Sequence, residues 1–368
     1  MKPLFVMLAV LPFLSACNQP ESPNAELFPA AGAENVNPDT HLVLTFTDSP
    51  IVGDSGMIRI YDAMSHQIVD SLDLSIPSGP TESRTYGPEC DYTKIPYDYT
   101  RTHMPTNRDT RPGTPSGTAE PTPPDYQLNI IGGFTDAFHF HPIIVRDSTA
   151  TIYLHNNMLD YNHSYYVTID EGVLTLPDHS FHGISKEHNW SFKTKDSAPA
   201  STDTLIVDAN GQGDFNTVQG ALDFIPDFSQ KQTVILIQTG DYEELVYARN
   251  KTNVKIKGAG MDRTRVHYAN NEVFNPHPLT VKTNEWPGTF PSRRAAFMLD
   301  NCNDILLEDL TIATDLHGQA EGLLLNGERI ALYSVHIIGS GDALQANGTI
   351  YMAVSYTHLR AHETELHL

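Results

Sequence analysis

The feature that most constrains the fold is a short repeat of apolar residues near the end of the chain. Three positions recur after 25 residues: Ile305 with Ile330, Leu310 with Val335, and Ile312 with Ile337. A repeat of this length made of short strands leaves no room for a helix in each unit and is typical of a parallel β-helix. Each turn of such a chain, called a rung below, buries its apolar side chains only against its neighbours, so both ends need a cover. We therefore predict a right-handed parallel β-helix, all-β in class, over residues 205–353.

The segment TLIVDANGQGDFNTVQGALDFIP, residues 204–226, marks the start of this domain. It predicts a strand, a glycine turn and a short helix that Pro226 ends. One face of the helix is apolar and carries Phe215, Val218, Leu222 and Ile225. A Gly-x-Gly turn can also hold a dinucleotide phosphate, but the third glycine of that fingerprint is missing. We expect the helix to cover the first rung.

An all-β region, residues 27–194, precedes the β-helix and is joined to it by a small-residue linker at 195–204. Its alternating runs include HLVLTF, GMIRIYD, ATIYLH and SYYVTID, with turn residues between them. The opening FPAAGAENVNPDTHLVLTF and the closing WSFKT resemble the bacterial Ig-like domains, which implies a β-sandwich that positions or spaces other modules. A long insertion at about 78–126 is dense in Pro, Thr, Gly and Tyr, so we assign no packed element to it.

The motif FHFHP places His139 and His141 on one face of a strand, because side chains alternate along a strand. Two histidines can ligate a metal, but no further ligand follows at a recognisable spacing. We therefore expect a solvated strand face and predict no metal site.

The first 17 residues have the pattern of an export signal. MKPLFVMLAVLPFLSAC holds one lysine and then an apolar run too short to span a bilayer. Its end, LSAC, resembles a bacterial lipobox, which implies cleavage before Cys17 and lipid attached to that cysteine; an ordinary secretory signal is the alternative. Residues 18–26 would form a tether. Because Asn18 and not aspartate follows the cysteine, we expect the outer membrane.

The charge balance bears on possible partners. The chain has 45 acidic and 23 basic side chains, a formal net charge of −22. This argues against a nucleic-acid partner, whose binding needs a basic surface. With Cys17 lipidated, Cys90 and Cys302 fall in different predicted domains, and we expect both to be unpaired.

Several motifs, in order, resemble the pectin methylesterases. GQGDFNTVQGALDFIP, VILIQTGDYEELV and NVKIKGAGMDRTRV resemble the opening of that family, and LEDLTIATDLHGQAEGLLLNGERIALYSVHIIGSGDALQANGTIYM resembles its central block. The resemblance spans residues 205–352. It implies an esterase that removes methyl esters from the pectin homogalacturonan, with no cofactor and no metal.

The resemblance also assigns roles to single residues. Gln319 in GQAEGL matches the glutamine that supports the oxyanion, and Asp342 in GDAL matches the general acid/base aspartate. Gly341 stands where the family usually has a second glutamine, so one oxyanion donor is absent or comes from elsewhere. Taken alone, Asp342 is better explained as an ordinary turn aspartate, since Gly and Asp are favoured in turns. Gln319 one rung earlier and the matching upstream block favour the acid/base role.

Residues 354–368, VSYTHLRAHETELHL, have neither strand nor helix period. They resemble a translated sequencing-library adapter, and we predict that they are not native. The nucleophilic aspartate and an arginine that the resemblance implies would then lie beyond this point, leaving an inactive fragment. A β-helix lyase or polygalacturonase and a non-catalytic glycan-binding solenoid remain alternatives.

Overall fold

The computed structural model describes residues 24–79, 126–132, 137–186, 190–275, 293–318 and 320–359. The predicted signal with Cys17, residues 18–23 of the tether and most of the 78–126 insertion lie outside these ranges. The described residues are almost entirely β. None of their helices is long and apolar enough to cross a membrane.

The N-terminal domain is a two-layer arrangement of short strands. In chain order they are β1 (Glu26–Phe28), β2 (Ala33–Val36), β3 (Leu42–Thr45), β4 (Ile51–Val52), β5 (Met57–Asp62), β6 (Ile68–Asp73), β7 (Leu128–Ile130), β8 (Ala137–His139), β9 (Ile143–Arg146), β10 (Thr149–Ile152), β11 (Ser164–Ile169), β12 (Leu174–Thr175) and β13 (Ser191–Thr194). One sheet has the order β1-β3-β10-β9 and the other β2-β13-β11-β5-β6. Strands β4 and β12 pair with each other, as do β7 and β8.

The two large sheets share one core. Leu42 and Leu44 of β3 and Ile58 and Ile60 of β5 are fully buried in the same apolar cluster. Each pair sits at alternate positions of its strand, as expected where one face is buried. Buried Trp190 also reaches across the layers, and its indole Nε1 donates to Pro29 O at 2.8 Å. The sheets therefore form a β-sandwich, while the Ig-like assignment stays a prediction.

The second domain is a parallel β-helix, confirming the predicted fold class. Its strands are β14 (Thr204–Val207), β15 (Thr233–Ile237), β16 (Gly240–Glu243), β17 (Val246–Arg249), β18 (Thr252–Lys257), β19 (Thr264–Tyr268), β20 (Phe297–Thr314), β21 (Leu323–Gly339), β22 (Leu344–Ala353) and β23 (Tyr356–Leu359). All pairings among them are parallel. One interior column runs through successive rungs in register: Leu205, Ile235, Ile256, Leu307, Leu332 and Met352.

The repeat read from the sequence is the register of two neighbouring rungs. The register between strands β20 and β21 includes all three predicted pairs: Ile305 with Ile330, Leu310 with Val335, and Ile312 with Ile337. All of these side chains are buried in the β-helix core. The spacing of apolar residues therefore predicted the pairing at residue level.

A short helix, α1 (Val218–Phe224), covers the first rung as predicted. Val218 and Leu222 are fully buried in the β-helix core. Thr217 is the N-cap, and its Oγ1 accepts from Gly220 N at 2.9 Å. Buried Glu244 accepts from the two backbone donors that follow the N-cap, Val218 N at 2.8 Å and Gln219 N at 2.9 Å. The free N–H groups at the start of this helix are thus satisfied by side chains.

The two domains are joined by polar contacts around this helix. Asp39 of the sandwich accepts from the backbone nitrogens of Asn216 at 2.9 Å and Thr217 at 2.8 Å. Asn156 Nδ2 donates to Asp223 Oδ2 at 2.6 Å. The linker contributes as well, because Lys195 Nζ donates to a backbone carbonyl of the glycine turn, at Gly213, at 2.7 Å.

The expectation of a solvated face at FHFHP was wrong. His139 is fully buried, and its Nδ1 lies 2.5 Å from Phe274 O. His141 stacks on the Phe274 ring at 4.5 Å between centroids, and its backbone N donates to Tyr268 Oη at 2.9 Å. Burial lowers the pKa of His139 to about 3 and that of His141 to about 4. Both histidines do share a face, but that face packs against the β-helix.

Part of the predicted non-native tail forms a strand. Strand β23 pairs with β21, with His336 opposite Tyr356, and these two rings stack at 4.0 Å. Residues 356–359 thus pair as a strand although the sequence of this segment has no strand period. Backbone pairing on an open sheet edge does not need an alternating side-chain pattern. The origin of residues 354–368 stays a prediction.

Cys302 is a free thiol inside the β-helix, as expected for an unpaired cysteine. Burial raises its pKa to about 12. A thiol held in this state is a poor nucleophile, so its role is packing. Cys90 lies outside the described residues.

Candidate active site

Asp342, the predicted acid/base residue, lies on an exposed turn between β21 and β22. The turn is tight, because a Cβ on Gly339 would meet Asp342 O at 2.0 Å. Ser340 N donates to Ala320 O at 2.8 Å, which fixes the turn to the preceding rung. Asp342 is thus presented to solvent from a braced backbone.

Gln319, the predicted oxyanion residue, lies outside the described residues, although both of its neighbours are described. Gly318 O accepts from Gly341 N at 2.5 Å, and Gly318 N donates to Ser340 Oγ at 3.1 Å. The backbone on either side of position 319 is therefore tied to the residues just before Asp342. Gly341 itself offers no side chain, so the second oxyanion glutamine of the resemblance has no counterpart at this position.

A carboxylate that the sequence reasoning missed lies behind this turn. Glu321 is fully buried and accepts from Arg294 Nε at 2.6 and 2.8 Å. Arg294 Nη2 also lies 2.6 Å from Glu321 Oε1, while Nη1 donates to Glu272 Oε2 at 3.0 Å. Burial raises the pKa of Glu321 to about 6, against the opposing effect of Arg294, and the negative charge of Asp342 adds to the rise.

Glu321 could have been noticed from the sequence. It occupies the unspecified position of the Gln-Ala-x-Ala motif, so the resemblance gave it no role. A glutamate in the otherwise small and apolar run AEGLLL, which enters a buried strand, is uncommon, since glutamate is rarely buried without a partner. Its partner Arg294 stands 27 residues earlier, about one rung away.

Asp315 belongs to a separate charged cluster at the edge of the β-helix. Its Oδ1 accepts from Arg265 Nη2 at 2.7 Å, and its Oδ2 contacts His267 Nδ1. Arg146, from the sandwich, donates through Nε to Glu243 at 3.1 Å. Burial by itself lowers the pKa of His267. Hydrogen bonds to Asp241 and Asp315 outweigh this effect, so the pKa is raised. This cluster links the two domains.

The same cluster brings possible metal ligands together, which requires a test of fit. One ligand atom each of Glu243, His267 and Asp315 lies within 4.8 Å of the others. The guanidinium of Arg146 already pairs with Glu243, and that of Arg265 pairs with Asp315. A cation there would have to displace two fixed positive charges, so the donor set fits an ion-pair network better than a metal centre.

The fold and the position of Asp342 first define a class: a parallel β-helix with a solvent-facing carboxylate on a turn between rungs. Residues 204–351 match the pectinesterase family model, starting at the first residue of β14 and ending within β22. This part of the chain is similar to the pectinesterase family.

Several individual proteins are similar to part of this chain. The chain is 29% identical over 154 residues to Probable pectinesterase 8 of Arabidopsis thaliana, covering 41% of this chain and 38% of that protein. Pectin methylesterase PemA from Erwinia chrysanthemi is similar at 18% identity and a TM-score of 0.34, over 44% of this chain and 50% of that one. The pectin methylesterase from carrot is similar at 21% identity and a TM-score of 0.33, over 45% of this chain and 51% of that one. The chain spans less than half the length of the first curated relatives it matches.

Proposed function

We propose that the protein is a carbohydrate esterase that hydrolyses the methyl esters of pectin to pectate and methanol. The family match over residues 204–351 carries this proposal. The exposed turn with Asp342 supports it, since it offers a carboxyl group to a large polysaccharide in the open.

In the proposed mechanism two carboxylates act in turn. A nucleophilic carboxylate attacks the ester carbon, and the Asp342 carboxyl gives its proton to the departing methoxide, which leaves as methanol. Water then attacks the resulting acyl-enzyme, and the Asp342 carboxylate takes a proton from it, which restores both groups. Gln319 would donate to the oxyanion in both tetrahedral states, where an aimed donor is worth about a hundredfold or more in rate.

The nucleophile of this scheme should lie one rung after Asp342, and its positioning arginine later still. We expect both in the coding sequence beyond Met352, and we expect the chain ending at Leu368 to be inactive. Reading the source gene past the Met352 codon tests this point. An aspartate on the next inter-rung loop supports the two-aspartate scheme, and a continuation without a carboxylate there contradicts it.

The activity itself is tested by methanol release from highly esterified pectin. We expect methanol from the protein encoded by the complete gene, and a loss of about 100-fold or more for Asp342→Asn. Asp262→Asn, at an exposed aspartate away from this turn, is the matched control and should retain activity. Unsaturated products or released galacturonate without methanol would indicate a lyase or a polygalacturonase instead.

A non-catalytic glycan-binding solenoid is the second candidate, favoured by Gly341 in place of an oxyanion donor. It predicts binding of pectin without methanol release, and with equal affinity in the parent and in Asp342→Asn.

For localisation we propose export and a lipid anchor on Cys17, in the outer membrane. Radiolabelled palmitate should enter the protein made in a bacterial host and should be absent from Cys17→Ser. Labelling that persists in this variant contradicts the anchor.

A further inference from the structure

The outer face of one sandwich sheet carries an open groove. Tyr165 of β11 is buried in the core, so Ser164 and Tyr166 on either side of it point outward. Across the sheet these two are paired with Lys193 and Ser191 of β13. The serines are small, so a depression of about 430 Å³ remains between the tyrosine and the lysine. This volume falls within the range of about 300–1,000 Å³ that is usual for small-ligand sites.

The ring of Tyr166 forms an upright wall of this groove. It stacks on the ring of Tyr61, its partner on β5, with 4.7 Å between the centroids and 6° between the planes. This separation is close to the strand spacing of about 4.8 Å, so both rings stand across the sheet. Tyr61 covers one face of the Tyr166 ring, and the other face is on the side of the groove, which Tyr166 lines and Tyr61 does not.

Lys186 adds a positive charge at the same wall. Its side chain is exposed, and its Nζ lies over the Tyr166 ring at 5.2 Å from the centroid. No carboxylate among the described residues pairs with it. Glu34 also lines the groove, and Lys193 already donates to Asp196 at 2.8 Å. In a chain with a formal net charge of −22, the ammonium of Lys186 is thus available to an anion.

An aromatic face beside an unpaired ammonium matches the chemistry of a sugar acid. A pyranose ring has C–H bonds on its faces, which can pack on the free face of Tyr166. The hydroxyl groups around its rim can bond to Ser164 and Ser191, which line the groove. A carboxylate on the sugar would form a charge-assisted hydrogen bond with Lys186. A purely apolar partner would leave the serines and the lysine unused.

We propose that this groove binds a uronate unit of pectin that has a free carboxylate, by stacking on Tyr166 and by ion pairing with Lys186. The choice of polymer rests on the proposed esterase function, whereas binding itself requires no catalysis. The sandwich then does more than space the β-helix from other modules. It holds the polymer at units that have already lost their ester, which raises the effective concentration of the remaining esters at the β-helix.

The test measures binding of polygalacturonate to the whole chain by isothermal titration calorimetry, with dextran as the uncharged polymer. We expect the parent to bind polygalacturonate and not dextran. The Kd should rise by about tenfold in Tyr166→Ala and by about threefold or more in Lys186→Gln. Tyr333→Ala and Lys231→Gln, at exposed residues of the β-helix domain, are the matched controls and should leave the Kd unchanged.

The outcomes separate the inference from the proposed function. Absence of polygalacturonate binding by the parent overturns the inference, and so does an unchanged Kd in the two groove variants, folded as judged by circular dichroism. If Tyr166→Ala does not fold because it loses the stack with Tyr61, Lys186→Gln and Lys186→Glu carry the test, since this side chain is exposed. A protein that binds through this groove and releases no methanol keeps the inference and overturns the proposed function.

A second copy of the chain is the other occupant that the test can detect. Sedimentation velocity of the parent and of Tyr166→Ala, without polymer, shows whether the groove joins two copies. A dimer in the parent that is lost in the variant, together with an unchanged Kd for polygalacturonate, overturns the inference.

Discussion

Asp39 Oδ2 lies 2.8 Å from both the backbone N and the Oγ1 of Thr217, so a carboxylate of the sandwich caps the helix that closes the β-helix. The same oxygen accepts from Asn216 N at 2.9 Å. Because the sandwich stabilises the helix that covers the β-helix, the stabilities of the two domains are coupled.

Replacing Asp39 should therefore destabilise the β-helix although the residue belongs to the sandwich. We expect Asp39→Ala to cost about 1–3 kcal/mol, because three donors lose their acceptor in a half-buried site. Urea denaturation followed by circular dichroism measures this cost. Asp54→Ala, at an exposed turn, is the control. Equal midpoints for the two variants would contradict the coupling.

Glu244 should make the helix cover sensitive to pH. Burial raises its pKa from 4.5 to about 7, against the two backbone donors that lower it, and the negative charges of Asp39 and Asp223 add to the rise. Between pH 4.5 and about pH 7, Glu244 keeps its proton in the folded chain and has released it in the unfolded chain. The contribution of Glu244 to stability is thus complete below about pH 4.5 and is lost as the pH rises through about 7.

The Glu244→Gln variant isolates this effect. Glutamine loses one acceptor for the helix N–H groups and should lower the melting temperature at every pH. The parent should lose more stability than the variant between about pH 5 and about pH 8, because only the parent has the carboxyl. Glu34→Gln at an exposed position is the control. A constant difference between parent and variant across this range would contradict the raised pKa.

The interior column of the β-helix predicts a large effect of one core residue. Leu307 is fully buried between Ile256 and Leu332, so Leu307→Ala should cost about 2–5 kcal/mol by loss of burial and by the cavity it leaves. Ile206 lies on β14 but is 38% exposed, and Ile206→Ala is the matched control, with a cost of less than about 1 kcal/mol. Similar costs for both would contradict the assigned interior.

The sequence predicted those parts of the molecule that local periodicity determines. The pairing of Ile305 with Ile330 follows from rungs of equal length, and the helix over the first rung follows from its apolar face and from Pro226. Contacts between distant segments left no such signal. His139 is buried by Phe274, 135 residues away, and nothing in FHFHP indicates that partner.

The candidate site shows the same limit. Asp342 was found because a motif surrounds it, and its exposed turn agrees with the proposed role. Glu321 was missed because its significance comes from Arg294 and from the register of two rungs. A motif records the residue types that relatives share, whereas the partner of a buried charge is visible only in the packing.

Gly341 provides a direct test of the oxyanion assignment. Gly341→Gln restores the side chain that the family resemblance places beside Asp342, on an exposed turn whose backbone is tied to Gly318. In the protein encoded by the complete gene, we expect kcat for methanol release to rise by up to about a hundredfold, because a donor aimed at the oxyanion acts on the transition state more than on the bound substrate. Gly341→Glu has the same length without an amide donor and adds a negative charge, so it should lower kcat. If both variants change kcat in the same direction, the effect comes from the backbone of the turn, and the missing glutamine does not limit the rate.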